Sequence, residues 1–303
     1  MRALSLFTRQ QLPRRLSVVC LLLTATLWTG NAEAAGAGDI NVSPKRIVFD
    51  AAGHGATVYL FNRGDGPATY SIAVIDRVMI PDGQIVSVDD AKKDPYESAY
   101  AAKLTSARDF IQFTPRRVTL KPNESQTIRL RALKPDALAP GEYRTHLTIT
   151  AVPPEDAGLT AEDAVTPSAK ELSVRIVPVF SLSIPLIVRQ GDVEVRTGLE
   201  TPHLTWDEAP FAPASGKSQK VAAINVTIDR LGHNSVYGNV EVRSGDAVLG
   251  AVRGVGVYPE VERRTVKVPL TRPPKPNENL SIVLVDDDTQ PGTNLAKVSF
   301  VAP

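Results

Sequence analysis

The sequence predicts an all-β protein made of two immunoglobulin-like sandwiches, and three observations predict it. Short runs with an apolar residue at every second position recur along the chain, separated by Gly-, Pro-, Asn- and Asp-containing turns. No long segment carries a helical period. The alternating pattern also restarts after Arg189-Gln190-Gly191, so the runs fall into two sets with a boundary near residue 186. The expected organisation is therefore 1–34, 35–186 and 187–303.

Residues 1–34 read as a secretory leader. Arg2, Arg9, Arg14 and Arg15 precede a largely apolar stretch over 16–28, and Ala32-Glu33-Ala34 supplies a small-x-small cleavage pattern. That apolar stretch is too short to span a membrane, and no later one reaches the ~20 residues a span needs. The single cysteine, Cys20, lies inside the leader. The exported chain then has no thiol, and its stability must come from buried apolar area rather than disulfides. Loss of four arginines and one glutamate turns the formal charge from +1 to −2. Such a balance argues against nucleic acid or an anionic membrane surface as partner.

In the first set, Ile40 to Asp50 reads as one strand ending in Ile47-Val48-Phe49, and Gly53-His54-Gly55 turns into Ala56–Asn62. Ala68–Asp76 follows, with Tyr70, Ile72 and Val74 inward, and Pro81-Asp82-Gly83 turns the chain into Ile85–Val88. Residues 89–108 are polar, with Tyr96, Tyr100 and Leu104 four apart, which suits one short helical excursion or a lid. Phe110–Arg116 and Gln126–Ala132 resume the strand pattern. Tyr143, Leu147, Ile149 and Ala151 point inward from the next strand, where the tyrosine matches the tyrosine corner of immunoglobulin-like sandwiches. The Pro-, Ala- and acid-rich residues 153–170 are expected to form a long loop. In the second set, strands are expected at Val193–Leu199, Ala223–Ile228, Val236–Val242, Val248–Tyr258, Thr265–Leu270, Leu280–Val285 and Ala296–Val301, with 201–220 as loop.

Between the two sets runs Leu172-Ser-Val-Arg-Ile-Val-Pro-Val-Phe-Ser-Leu-Ser-Ile184, apolar at every even position. This puts one long apolar row on a single face of an extended strand. Two readings stand open: a core strand passing between domains, or an edge strand whose row is offered to another protein. Pro178 favours the edge, because proline cannot donate to a ladder.

No catalytic or metal constellation is visible, so an enzyme is not expected and neither cofactor nor metal is implied. None of His54, His146, His203 and His233 pairs with a glutamate or cysteine at ligand spacing. His54 and His146 read as solvated. There is no Gly-x-Ser-x-Gly elbow and no phosphate-cradling glycine loop. Asp286-Asp287-Asp288 reads as a solvated turn rather than a calcium loop, because the ligand spacing is missing.

Several stretches in order resemble the periplasmic pilus-assembly chaperones, the PapD-like family, and among them the archaic, non-classical branch. They are Val42–Asp50, Thr57–Asn62, Phe113–Pro122 followed by Gln126–Leu130, Gly141–Leu147 leading to Val152-Pro-Pro154, and the long row running into Ile184-Pro185. The resemblance implies two immunoglobulin-like domains in a boomerang arrangement in the periplasm. It implies a chaperone that binds, folds and caps pilus or fimbrial subunits by donor-strand complementation and delivers them to an outer-membrane usher, without nucleotide. Leu172, Val174, Ile176, Pro178 and Phe180 would then fill the subunit's open groove. Five such side chains at ~1.5–3 kcal/mol each give on the order of 10 kcal/mol, before ordering costs.

The family's cleft arginine, which holds the subunit's terminal carboxylate, maps onto Arg46. Standing alone, Arg46 reads as a strand-surface charge. The family's cleft lysine has no counterpart, its place being taken by Phe180 or Ser181. An exposed strand of this kind also permits self-association of the free protein. The rival readings are a pilus subunit or adhesin, and an extracytoplasmic carbohydrate-binding β-module. The second would want clustered exposed aromatics, and Trp206 is the one tryptophan after the leader.

Overall fold

Pro44 has no N–H to continue a ladder, and it divides the chain's first run in two. In the computed structural model, which describes residues 39–51, 53–153, 179–208 and 220–303, β1 (Ile40–Ser43) pairs antiparallel with β3 (Gly55–Asn62), whereas β2 (Ile47–Phe49) crosses to the opposite sheet. The single strand expected over 40–50 is thus two strands in two sheets, with Arg46 just after the crossing. The expected leader, residues 1–34, lies outside the described residues.

The first sandwich continues through β4 (Ala68–Ile75), a two-stranded ribbon β5 (Arg77–Met79) and β6 (Ile85–Ser87), then β7 (Ile111–Thr114), β8 (Arg117–Leu120), β9 (Ser125–Ala132), β10 (Gly141–Val152) and β11 (Ser181–Gln190). Its sheets run β1-β3-β9-β7 and β2-β11-β10-β4-β8. β4 alternates buried and half-buried residues along its whole length, as its sequence requires. Phe49, Leu60, Tyr70, Ile128, Leu147, Ile149 and Leu186 meet in the core between the sheets. The hydroxyl of Tyr143 donates to the Ala139 carbonyl at 3.0 Å, which is the bond of a tyrosine corner.

The second sandwich comprises β12 (Thr197–Glu208), β13 (Lys220–Arg230), β14 (Val236–Ser244), β15 (Ala247–Val257), β16 (Arg263–Pro269), β17 (Asn279–Asp286) and β18 (Asn294–Val301). Its sheets run β12-β13-β16 and β15-β14-β17-β18. β12 differs from expectation, because it extends through residues 201–208, which read as loop. A bulge between Glu200 and His203 shifts the register, and Thr201 adopts φ 48° ahead of Pro202. The shift moves the inward parity from Leu199 to Leu204, so a fixed period of two cannot be followed across it. β11 passes through the expected boundary at residue 186 and leaves the first sandwich's sheet only after Gln190.

Residues 88–110 form two single helical turns, α1 (Val88–Ala91) and α2 (Ser98–Ala101), and a 3-10 turn at Arg108–Phe110, rather than one excursion. Ser87 caps α1 by accepting from the Asp90 N–H. The Tyr96 and Tyr100 rings meet edge-on at 5.4 Å. Met79 from the ribbon joins the second sandwich's core beside Ile187, with Val48, Ile85 and Tyr100 packed against it. No helix among the described residues is long and apolar enough to cross a membrane.

Candidate functional site: the interdomain charge cluster and the open half of β11

The crossing between β1 and β2 aims Arg46 at the second sandwich. Its Nη1 and Nη2 donate to the two carboxylate oxygens of Asp288 at 2.8 and 3.0 Å, a bidentate fork. Its guanidinium carbon lies 4.5 Å from the centre of the Tyr237 ring. Arg189, near the end of β11, grips the same carboxylate at 2.5 Å and holds Glu142 at 3.1 Å. The side chains of this quartet are all at least nine-tenths buried. Burial alone would raise the Asp288 carboxyl, but hydrogen bonds from Arg46 and Arg189 outweigh it and hold the group below the usual carboxylate range. The acidic triplet is therefore no solvated turn. Asp286 is buried and accepts from Thr289, Gln290 and the Asp288 N–H, which shapes the loop that presents Asp288.

A second cluster follows two residues along β10. Arg144 donates to Glu260 from the second sandwich, and its guanidinium carbon sits 4.2 Å above the Tyr258 ring. Its Nη1 lies 3.3 Å from Nε2 of His146. His146, expected to be solvated because it points outward from its own sandwich, is only 2% exposed. Burial first, and then the charges of Arg144 and Arg77, push its pKa well below the ordinary imidazole value, so it is neutral at pH 7.

β11 is enclosed along only half its length. β10 pairs with it from Ser181 to Gln190, whereas β2 reaches only Leu186, Ile187 and Val188. Among the described residues Ser181–Pro185 therefore has a strand on one side only. The Ala151 N–H donates to the Phe180 carbonyl, which makes Thr150 and Ser181 a non-hydrogen-bonded pair. Alternation puts His146 and Pro185 in the same class, so the Pro185 nitrogen faces away from β10, where no N–H is required. Ser181 and Ser183 present backbone groups toward the same open side. On the faces of the strand, Ile184, Leu186 and Val188 are buried in the first core, while Ile187 enters the second.

Ahead of β11, Val179 and Phe180 are 55% and 57% exposed. Leu172, Val174, Ile176 and Pro178 lie outside the described residues. Of the expected site residues the structure thus describes Arg46 and Phe180, on different elements. Sequence reading missed Asp288, Arg189, Glu142, Arg144 and Glu260. The only signal for Glu142, Arg144 and Arg189 was charge at strand positions facing away from their own core, and Glu260 and Asp288, on turns that follow β15 and β17, gave none.

No family model matches the chain, and no curated protein matches it. Solved structures do. The chain is similar to fimbrial chaperones. The Escherichia coli chaperone DraB has 14% identity and a TM-score of 0.42 over 87% of this chain and 96% of its own. The Pseudomonas aeruginosa CupB2 chaperone has 14% identity and a TM-score of 0.40 over 87% and 100%. A third is the CsuC–CsuE complex of chaperone and tip adhesion subunit from archaic Csu pili of Acinetobacter baumannii. There the values are 14% identity and a TM-score of 0.39 over 88% and 98%.

Proposed function

We propose that the protein is a periplasmic chaperone that lends an edge strand to pilus subunits, caps them, and passes them to an outer-membrane usher. The observation that carries this reading is the one-sided half of β11. Among the described residues, an open row of backbone groups at Ser181 and Ser183 follows directly from the exposed Val179 and Phe180. Sheet edges of this kind pair with incoming strands, and alternate side chains give such pairing its specificity.

Upstream of that edge the alternating row Leu172, Val174, Ile176 and Pro178 is assigned to the subunit's groove, with Phe180 at its end. Arg46 is assigned as the anchor for the subunit's terminal carboxylate. Both of its terminal nitrogens are engaged by Asp288, so holding the subunit's carboxylate requires that fork to exchange one carboxylate for the other. The same free edge would let two copies of the free protein associate.

Co-purification from periplasm tests the assignment. The wild-type protein should bring down a small β-sandwich subunit at one to one, and Ile176→Asp should lose it while remaining soluble and folded. If Ile176→Asp unfolds the free protein, the row is core and the donor assignment fails. If the wild-type protein brings down no such subunit, the chaperone reading fails with it.

A further inference from the structure

Three of the four histidines, His54, His203 and His233, are exposed. The fourth, His146, is buried at the junction of the two sandwiches, and cations surround it. Arg144 stands beside it on β10, with Nη1 3.3 Å from Nε2. Arg77 opens the β5–β6 ribbon and shares with it a pocket of about 290 Å³ whose walls include Ile85, Pro185 and Tyr258. The Nε of Arg77 is buried and has no hydrogen-bond partner among the described residues.

No carboxylate offsets these cations at the ring. Glu260 of the second sandwich is held by Arg144, and Glu142 by Arg189. Asp76 follows Ile75, the cross-strand neighbour of His146, and accepts from the hydroxyls of Ser106 and Thr145, each at 2.8 Å. Burial raises the Tyr258 phenol, which stays uncharged. From β11 and β6 come Ser181, Ser183, Pro185 and Ile85, none of them ionisable.

Hydrogen-bond chemistry decides what a proton does here. A guanidinium only donates, so the Arg144 contact needs the lone pair of Nε2. Protonation takes that lone pair and sets N–H against N–H, with a second cation close by on Arg77. Both repelled groups belong to links between the sandwiches. Arg144 reaches Glu260 across the junction, and Arg77 lies two residues before Met79, which packs in the second core. We propose that His146 is an acid-sensitive catch, whose protonation drives off Arg144 and Arg77 and loosens the junction at the ribbon.

The direction with pH follows from linkage. Where the junction is open the ring is solvated and has its ordinary value of about 6.5. The closed junction holds it well below that, so closing binds fewer protons. Closure is therefore at full strength above about pH 6.5 and weakens as pH falls below it, down to the value of the ring in the closed state. Between pH 7 and pH 5 the opening constant should rise about tenfold or more.

Amide hydrogen exchange of the ribbon in the intact protein, corrected for intrinsic rates, tests this, with the histidine rings titrated by NMR alongside. His146 should stay neutral at a pH where His54, His203 and His233 have taken up their protons. Ribbon protection should fall about tenfold between pH 7 and pH 5 in the wild type and in the exposed control His54→Gln. It should hold constant in His146→Gln, whose amide oxygen accepts from Arg144 at either pH. Arg77→Gln removes one opposing cation, so there the ring should titrate at a higher pH than in the wild type, an arm that stands even if His146→Gln fails to fold. Titration of His146 together with the exposed histidines, equal loss of ribbon protection in wild type and His146→Gln, or an unmoved ring in Arg77→Gln overturns the proposal. None of these readouts needs a pilus subunit, so the catch and the chaperone reading stand or fall separately.

Discussion

At the scale of single residues, Asp288 is the most constrained group in the molecule. Two guanidiniums converge on one carboxylate, and Glu142 balances the second of them. Removing the carboxylate leaves two buried cations facing an amide, which for a broken buried pair costs about 3–5 kcal/mol. Asp288→Asn should therefore lower the urea unfolding free energy by about 3 kcal/mol, and an unchanged midpoint would mean that the quartet contributes nothing net. The depressed carboxyl also sets a sign for pH. A group whose folded pKa lies below its unfolded value of about 3.9 contributes stability that is fully present above that value. The contribution disappears as pH falls through the folded pKa. Acidification below about pH 4 should thus destabilise the wild-type protein more steeply than Asp288→Asn, and parallel curves would refute the assignment.

At the scale of one element, β11 does two jobs that its sequence advertises unequally. The even row Ile184, Leu186 and Val188 was legible, because a period of two buries one face. Ile187 was not, since it points away from its own core and is covered by a domain that appears later in the chain. The same reason hid His146 and Arg144, which read as polar residues on an outward face. It hid the partner of Arg46 too, since Asp288 lies 242 residues further along. Arg46 itself was found through resemblance, and nothing in local pattern distinguishes it from Lys45. Two substitutions separate the strand's halves. Leu186→Ala removes a fully buried side chain and should cost about 2–5 kcal/mol. Phe180→Ala should stay within about 0.5 kcal/mol in thermal or denaturant unfolding. A large loss at Phe180 would show that this residue packs against its own chain and is not on offer.

For the whole molecule, the question is what makes two sandwiches unfold as one. Polar links run through Asp288 and through the Arg144–Glu260 pair, and apolar links run through the ribbon. Met79 is 2% exposed and belongs to the second core although its strand grows from the first. The ribbon's turn is fitted as closely. Gly83 has φ 89°, a backbone conformation that favours glycine, and a Cβ there would displace the Arg264 guanidinium. Apolar burial is the larger and less directional term, so coupling should depend on the ribbon more than on the ion pairs. In calorimetry the wild-type protein should show one transition with equal calorimetric and van't Hoff enthalpies. A double variant, Met79→Ala with Ile85→Ala, should resolve into two, the second sandwich melting first because it loses core side chains supplied by its neighbour. If the double variant keeps a single transition merely shifted to lower temperature, the charge clusters suffice to couple the domains, and Asp288→Asn becomes the variant that should split them.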